Sequence, residues 1–151
     1  MLTLNAEGLE LDGVQFTIAP ASLEHRSYII STWVRGGAQL FKRMSLMVGD
    51  HRHPIKRTAY LEEEPGIAER HWDSSYILMR TENPSVCHAW LCGSKGVFLN
   101  AYVPPELRRM GIFRALSAHV CGPGQVQMAR PWPHGNPPER WHYNPYLSGK
   151  L

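Results

Sequence analysis

The stretch from Val97 to Leu116 constrains this chain more than any other. It opens with an apolar and aromatic run, Val97-Phe98-Leu99-Asn100-Ala101-Tyr102-Val103, which reads as a buried strand. Pro104 and Pro105 end that strand, because neither can donate a ladder hydrogen bond. A helix is expected to begin near Arg109 to Gly111. Its apolar positions Ile112, Ala115, Leu116 and His119 follow the i, i+3, i+4, i+7 rhythm, and Phe113 and Val120 widen the stripe. Such a helix must return on a strand parallel to the first, by a right-handed crossover. Gln125 to Arg130, after Gly122-Pro123-Gly124, supplies that strand.

The corner between strand and helix has a definite chemistry. A helix N-terminus presents unpaired backbone N–H groups and the positive end of the helix dipole, so an anion fits there, phosphate above all. Gly111 lacks a Cβ and lets a ligand approach the backbone closely. Arg108, Arg109 and Arg114 add fixed positive charge. A Walker loop is absent, and only Gly111 stands where a dinucleotide fingerprint needs three glycines.

These residues resemble the acyl-CoA-binding segment of the GNAT superfamily of N-acyltransferases. In that family a strand ends in Val-x-Pro and is followed by Arg/Gln-x-x-Gly-x-Gly/Ala at the mouth of a helix. Val103-Pro104-Pro105 and Arg108-Arg109-Met110-Gly111-Ile112-Phe113 match, with Phe113 standing where the family prefers a small residue. The resemblance implies an α/β fold of the mixed kind: a mostly antiparallel sheet flanked by helices, with one splayed parallel strand pair. It implies acetyl-CoA, or another acyl-CoA, as cofactor. The pantetheine arm would lie in the splay and pair with the backbone of Ala101, Tyr102 and Val103. The diphosphate would sit on Arg108, Arg109, Met110, Gly111, Ile112, Phe113 and Arg114.

The rest of the chain is compatible with that order. Val14 to Ile18 alternates as a first strand, and Ser22 can cap a helix running to about Arg35, stopped by Gly36-Gly37. A second helical stretch is expected within Tyr60 to Trp72, interrupted at Pro65-Gly66. Tyr76 to Thr81 and Val86 to Cys92 read as strands, joined by the turn Asn83-Pro84-Ser85; Gly93 to Gly96 is the next turn. Residues 38 to 61 are the least legible, with a short helix over Leu40 to Val48 and a loop over Asp50 to Lys56. His51 and His53 have metal-compatible spacing, but no third or fourth ligand is evident nearby and no metal is expected. The tail from 131 to 151 is rich in proline and aromatics, and is shorter than the helix and two strands that usually close a GNAT domain.

Bulk properties set the outer limits. A chain of 151 residues with 43% apolar and 19% charged residues reads as one ordinary folded domain spanning 1 to 151. A net charge of +3 is too mild to argue for nucleic acid. Three cysteines, Cys87, Cys92 and Cys121, form no disulfide framework and point to a reducing cytoplasm. Met1 to Asp12 is no signal peptide, and no apolar run approaches a membrane span.

Acyl transfer needs a deprotonated amine, a polarised carbonyl and a proton for the leaving thiolate. The key strand carries Asn100 but no carboxylate. Glu82 and His88, on neighbouring strands, are the candidate bases. Tyr143 and Tyr146, beyond the last strand, are the candidate acids, because the family often uses a tyrosine there. Cys121 lacks a His–Asn/Asp arrangement and is not expected to act as a nucleophile. Two functions therefore follow from the resemblance. One is an N-acyltransferase acting on an amine or protein acceptor. The other is a GNAT-like interaction protein without turnover, since the layout and size also resemble small GNAT-like proteins of short-tailed bacteriophages, which act on host proteins in the host cytoplasm or in virion assembly.

Overall fold

The computed structural model describes residues 2–5, 8–36, 64–122 and 127–128. They form a mixed α+β architecture around a seven-stranded sheet with strand order β1 to β7, the order of the sequence. The strands are β1 (Thr3–Asn5), β2 (Gly8–Leu11), β3 (Val14–Pro20), β4 (Ser75–Arg80), β5 (Ala89–Ser94), β6 (Val97–Tyr102) and β7 (Gln127–Met128). Every neighbouring pair is antiparallel except β6 and β7, which are parallel through Val97↔Gln127 and Phe98↔Met128. Helix α1 covers residues 26–36, α2 covers 64–71, and α3 is Ile112–Cys121.

The side-chain period of a strand places two cores on the two faces of this sheet. Leu78, Ala89, Leu91, Ala101 and Val103 point to the face that α3 covers with Ile112, Phe113 and Leu116. Ile77, Trp90, Cys92 and Tyr102 point to the other face, where Ile29 and Trp33 of α1 and Ile67 and Ala68 of α2 pack. The central strand β5 is therefore buried on both sides from Ala89 to Cys92, which is why it reads as a continuous apolar run.

Four details differ from the sequence reading. The strand expected first is the third, because a hairpin, β1–β2, precedes it; β2 then turns into β3 at Asp12-Gly13, both with positive φ. The strand expected from Val86 begins at Ala89: the Asn83 to Ser85 turn ends in an irregular passage in which the His88 amide bonds the Leu78 carbonyl. Pro65 and Gly66 do not interrupt the described part of α2, which is helical from 64 to 71. The buried stripe of α3 is Ile112, Phe113, Leu116, Ser117 and Cys121, rotated away from His119, which is exposed and lies against Tyr76.

Two local ties fix α1. The Ser22 amide donates to Nδ1 of the buried His25, whose Nε2–H donates to the Pro84 carbonyl at 2.7 Å. Gly36 does not stop the helix within the described residues. It sits buried against the Ala101 carbonyl, a close approach that only glycine allows. Residues 38 to 61 and the tail from 131 to 151 lie outside the described residues, and with them His51, His53, Tyr143 and Tyr146.

Candidate functional site

The predicted corner is built where β6 ends. A bulge precedes it: Cys92 pairs with Asn100 and Gly93 with Phe98, so Leu99 is the extra residue of β6. Bulges re-aim backbone groups and are frequent beside functional sites. Downstream of the bulge, the Ala101 amide donates to Oδ1 of Asn100 at 2.8 Å, and Asn100 Nδ2 donates to the Trp33 carbonyl of α1 at 2.9 Å. Among the described residues, no backbone carbonyl accepts from the Val103 amide. The Val103 carbonyl accepts from Nε of Arg108 at 3.1 Å.

Past Pro104 the chain makes a single 3-10 turn, Pro105–Leu107, and then a tight turn into α3. Arg109 has a φ of 64° and Gly111 a φ of 83°, so this turn holds one non-glycine residue in the left-handed region. Gly111 is the N-cap of α3, and its carbonyl accepts the first helical bond from Ala115. The amides of Arg109, Gly111 and Ile112 donate to no backbone carbonyl among the described residues. The turn is held from below: the Leu2 amide donates to the Met110 carbonyl at 2.7 Å, and Leu2, Leu107 and Met110 pack on the α3-side core.

The predicted anion-binding residues separate into two groups. Arg108, Arg109 and Arg114 are exposed, and Met110 and Gly111 are half-buried. Ile112 and Phe113 are buried and anchor the first turn of α3 in the core. No guanidinium of the three pairs with a carboxylate among the described residues. Among the described residues the corner thus gathers helix-start amides, the helix dipole and three exposed cations without a carboxylate partner, features that favour an anion.

The candidate bases are not gathered at this corner. Glu82 lies on the exposed turn after β4, two strands and so roughly 10 Å sideways from β6. His88 meets Phe16 edge-on at 5.5 Å, so its ring is turned towards β3 and away from β6. Burial, reinforced by the Arg80 charge, holds its imidazole below the ordinary histidine pKa. Asn100 is fully buried and spends its carboxamide on α1 and on its own strand.

On the α1 side of the end of β6, Tyr102 meets two groups that the sequence does not single out, Tyr28 and Arg35. Tyr102 is stacked beneath the Arg35 guanidinium, 5.5 Å from the ring centroid, and faces Tyr28 at 6.4 Å. Burial, then the neighbouring Cys87, Tyr102 and Glu106, push the Tyr28 phenol up to about 12, partly offset by Arg35. Tyr28 therefore stays protonated at neutral pH and can donate a proton or hydrogen bond. Deeper in this core the buried Glu64 accepts from Trp33 Nε1 at 2.6 Å, and the Trp33 ring stacks on Trp90 at 5.1 Å. Only the positions of Tyr28 and Arg35 on the face or end of an amphipathic helix signalled these groups. Nothing in the Glu62-Glu63-Glu64 run distinguishes the buried carboxylate.

The three cysteines are free and buried. Burial raises Cys87 to about 12 and Cys92 and Cys121 to about 11, which leaves no thiolate for nucleophilic chemistry. No His/Cys/Asp/Glu group that could hold a metal ion occurs among the described residues. No helix among them is long and apolar enough to cross a membrane. No protein-family model, no curated protein and no solved structure matches the chain.

Proposed function

We propose that this chain is an acyl-CoA-dependent N-acyltransferase of the GNAT type, which moves an acyl group, acetyl in the simplest case, to an amine. The observation that carries the reading is the corner itself. A bulged strand ends in an amide that has no backbone acceptor among the described residues, and a turn bearing the exposed Arg108 and Arg109 leads into the N-terminus of α3, which carries the exposed Arg114. The strand–helix–strand unit that frames it ends in the parallel pair β6–β7. Bound CoA would supply the activated thioester.

The protein's own contribution divides along the corner. The amides of 109 to 112 and the guanidiniums of Arg108, Arg109 and Arg114 take the phosphates. The Val103 amide is placed to hydrogen-bond a carbonyl running along the outer edge of β6, whether of the pantetheine arm or of the thioester. Tyr28 and Glu106 flank the same strand end and are the described groups best placed to handle protons there. Calorimetry with acetyl-CoA tests the reading. Binding is expected, and it should weaken in Arg109→Ala; no heat at high micromolar cofactor removes the proposal.

A second reading is a GNAT-like protein that binds a partner, a phage-encoded protein acting on a host protein being one form, and does not turn over. It is favoured by the placement of Glu82 and His88, neither of which faces the corner. Cofactor binding without acylated product across amine and peptide panels would select it.

A further inference from the structure

We infer that Asn100 is a positioning residue: its carboxamide clamps α1 at Trp33 to β6 and takes up the Ala101 amide, leaving the Val103 amide, which has no backbone acceptor among the described residues, as the first donor for a ligand at the end of the strand. The inference rests on the acyl-CoA reading for its functional part and on the protein alone for its structural part.

A primary amide buried among apolar side chains is tolerated only when its polar atoms are hydrogen-bonded. Asn100 has no exposure, and both ends of its carboxamide are engaged. The donor end reaches the Trp33 carbonyl of α1 at 2.9 Å. The acceptor end takes the Ala101 amide, and Gly36 closes over the Ala101 carbonyl, where a Cβ would come within 2.3 Å of the oxygen. Trp33 itself is held at its other end by Glu64 and by stacking on Trp90. The clamp therefore joins α2, α1 and β6 in one buried chain of contacts, and it closes both polar groups of Ala101 to a ligand.

A carbonyl lying along β6 then meets Val103, not Ala101. The register of a bound acyl chain along the strand is set by a side chain that never touches it. The extra residue Leu99 is part of the device. By shifting the β5–β6 register it places Asn100 opposite Cys92, under α1.

Residue-resolved amide hydrogen exchange on the full chain, with and without acetyl-CoA, decides the matter. In the free protein Ala101 should exchange slowly. Adding acetyl-CoA should protect Val103 and leave Ala101 unchanged. In Asn100→Ala, exchange at Ala101 should speed up about tenfold, the equivalent of one lost buried hydrogen bond, while Leu91 of β5 is unaffected. Asn100→Asp, which keeps the acceptor and loses the donor, should restore Ala101 protection but leave α1 loosened at Trp33. It serves also if the alanine variant does not fold. Fast exchange at Ala101 in the free wild type, or acetyl-CoA protecting Ala101 instead of Val103, overturns the inference. If acetyl-CoA changes nothing and releases no heat, the acyl-CoA reading fails, and the Ala101 exchange in free wild-type and Asn100→Asp protein still decides the clamp.

Discussion

Replacing Gly36 by alanine tests how tightly α1 is docked on β6. In an exposed helix the change stabilises by about 0.8–1 kcal/mol, because alanine loses less backbone entropy. Here the added Cβ would stand 2.3 Å from the Ala101 oxygen and 3.1 Å from both the Ala101 carbonyl carbon and the Tyr102 Cβ. Two of those atoms are backbone of Ala101, which is paired with Leu91 of β5, so relief comes only from α1 moving away from the sheet. Overpacking of this kind costs about 1–3 kcal/mol. The same movement stretches the 2.9 Å bond between Asn100 and the Trp33 carbonyl, which adds about 1 kcal/mol. Against the propensity gain, the net expectation is a loss of about 2 kcal/mol, or a Tm lower by about 4–8 °C for a chain of this size. Gly66→Ala is the internal control. Its Cβ would meet only the flexible tip of Arg70 at 3.4 Å, so it should be neutral or stabilising by up to about 1 kcal/mol. Urea and thermal denaturation read both. If Gly36→Ala stabilises like Gly66→Ala, the described seam between α1 and β6 does not exist.

Arg109→Ala should weaken acetyl-CoA binding about tenfold, the loss of one charge-assisted contact, measured by calorimetry. Gly111→Ala should lower stability by about 1–2 kcal/mol, because the N-cap of α3 has a φ of 83°; an unchanged denaturation midpoint would refute that conformation. His88 resists protonation in the fold, so the unfolded chain takes up the extra proton as pH falls below about 6.5, and stability should decline from there towards the depressed native value. His88→Phe should flatten that part of the pH profile. Native protein at pH 8 should react slowly with a thiol reagent and release three thiols together only on unfolding, since burial raises all three cysteines. Rapid labelling of one cysteine in the native state would contradict its placement.

The legible parts of the sequence were those where local chemistry and tertiary context agree. The strand from Val97, its stop at Pro104-Pro105 and the helix after Gly111 are each fixed by residues close in sequence, and they appear where the pattern puts them. The β1–β2 hairpin was missed because its strands are three and four residues long and too short to show a period. The start of β5 differs because Val86, Cys87 and His88 have strand-like propensity but are captured by bonds to Asn83, Ala89 and Leu78 respectively. Pro65-Gly66 suggests a break by its local propensity, yet the chain is helical through both residues. The i, i+3, i+4, i+7 rhythm of α3 predicts His119 inward, yet the helix turns Ser117 and Cys121 inward instead, and only the sheet beneath decides that rotation. Of the site, the arginines and Gly111 were visible because charge and φ preference are properties of single residues. Tyr28, Tyr102 and Glu106 come from separate elements, and their meeting at the end of β6 depends on long-range packing that no local pattern encodes.

The order of strands across the sheet is also their order of synthesis. On a ribosome each new strand emerges to find its future neighbour as the growing edge, so most pairings need only a short hairpin closure. Two steps depart from this. β4 must return to β3 after the long intervening span that carries α1 and α2, and β7 must arrive by the α3 crossover. Those two late closures complete the two walls around the end of β6. A nascent chain would therefore acquire its sheet early and its corner last.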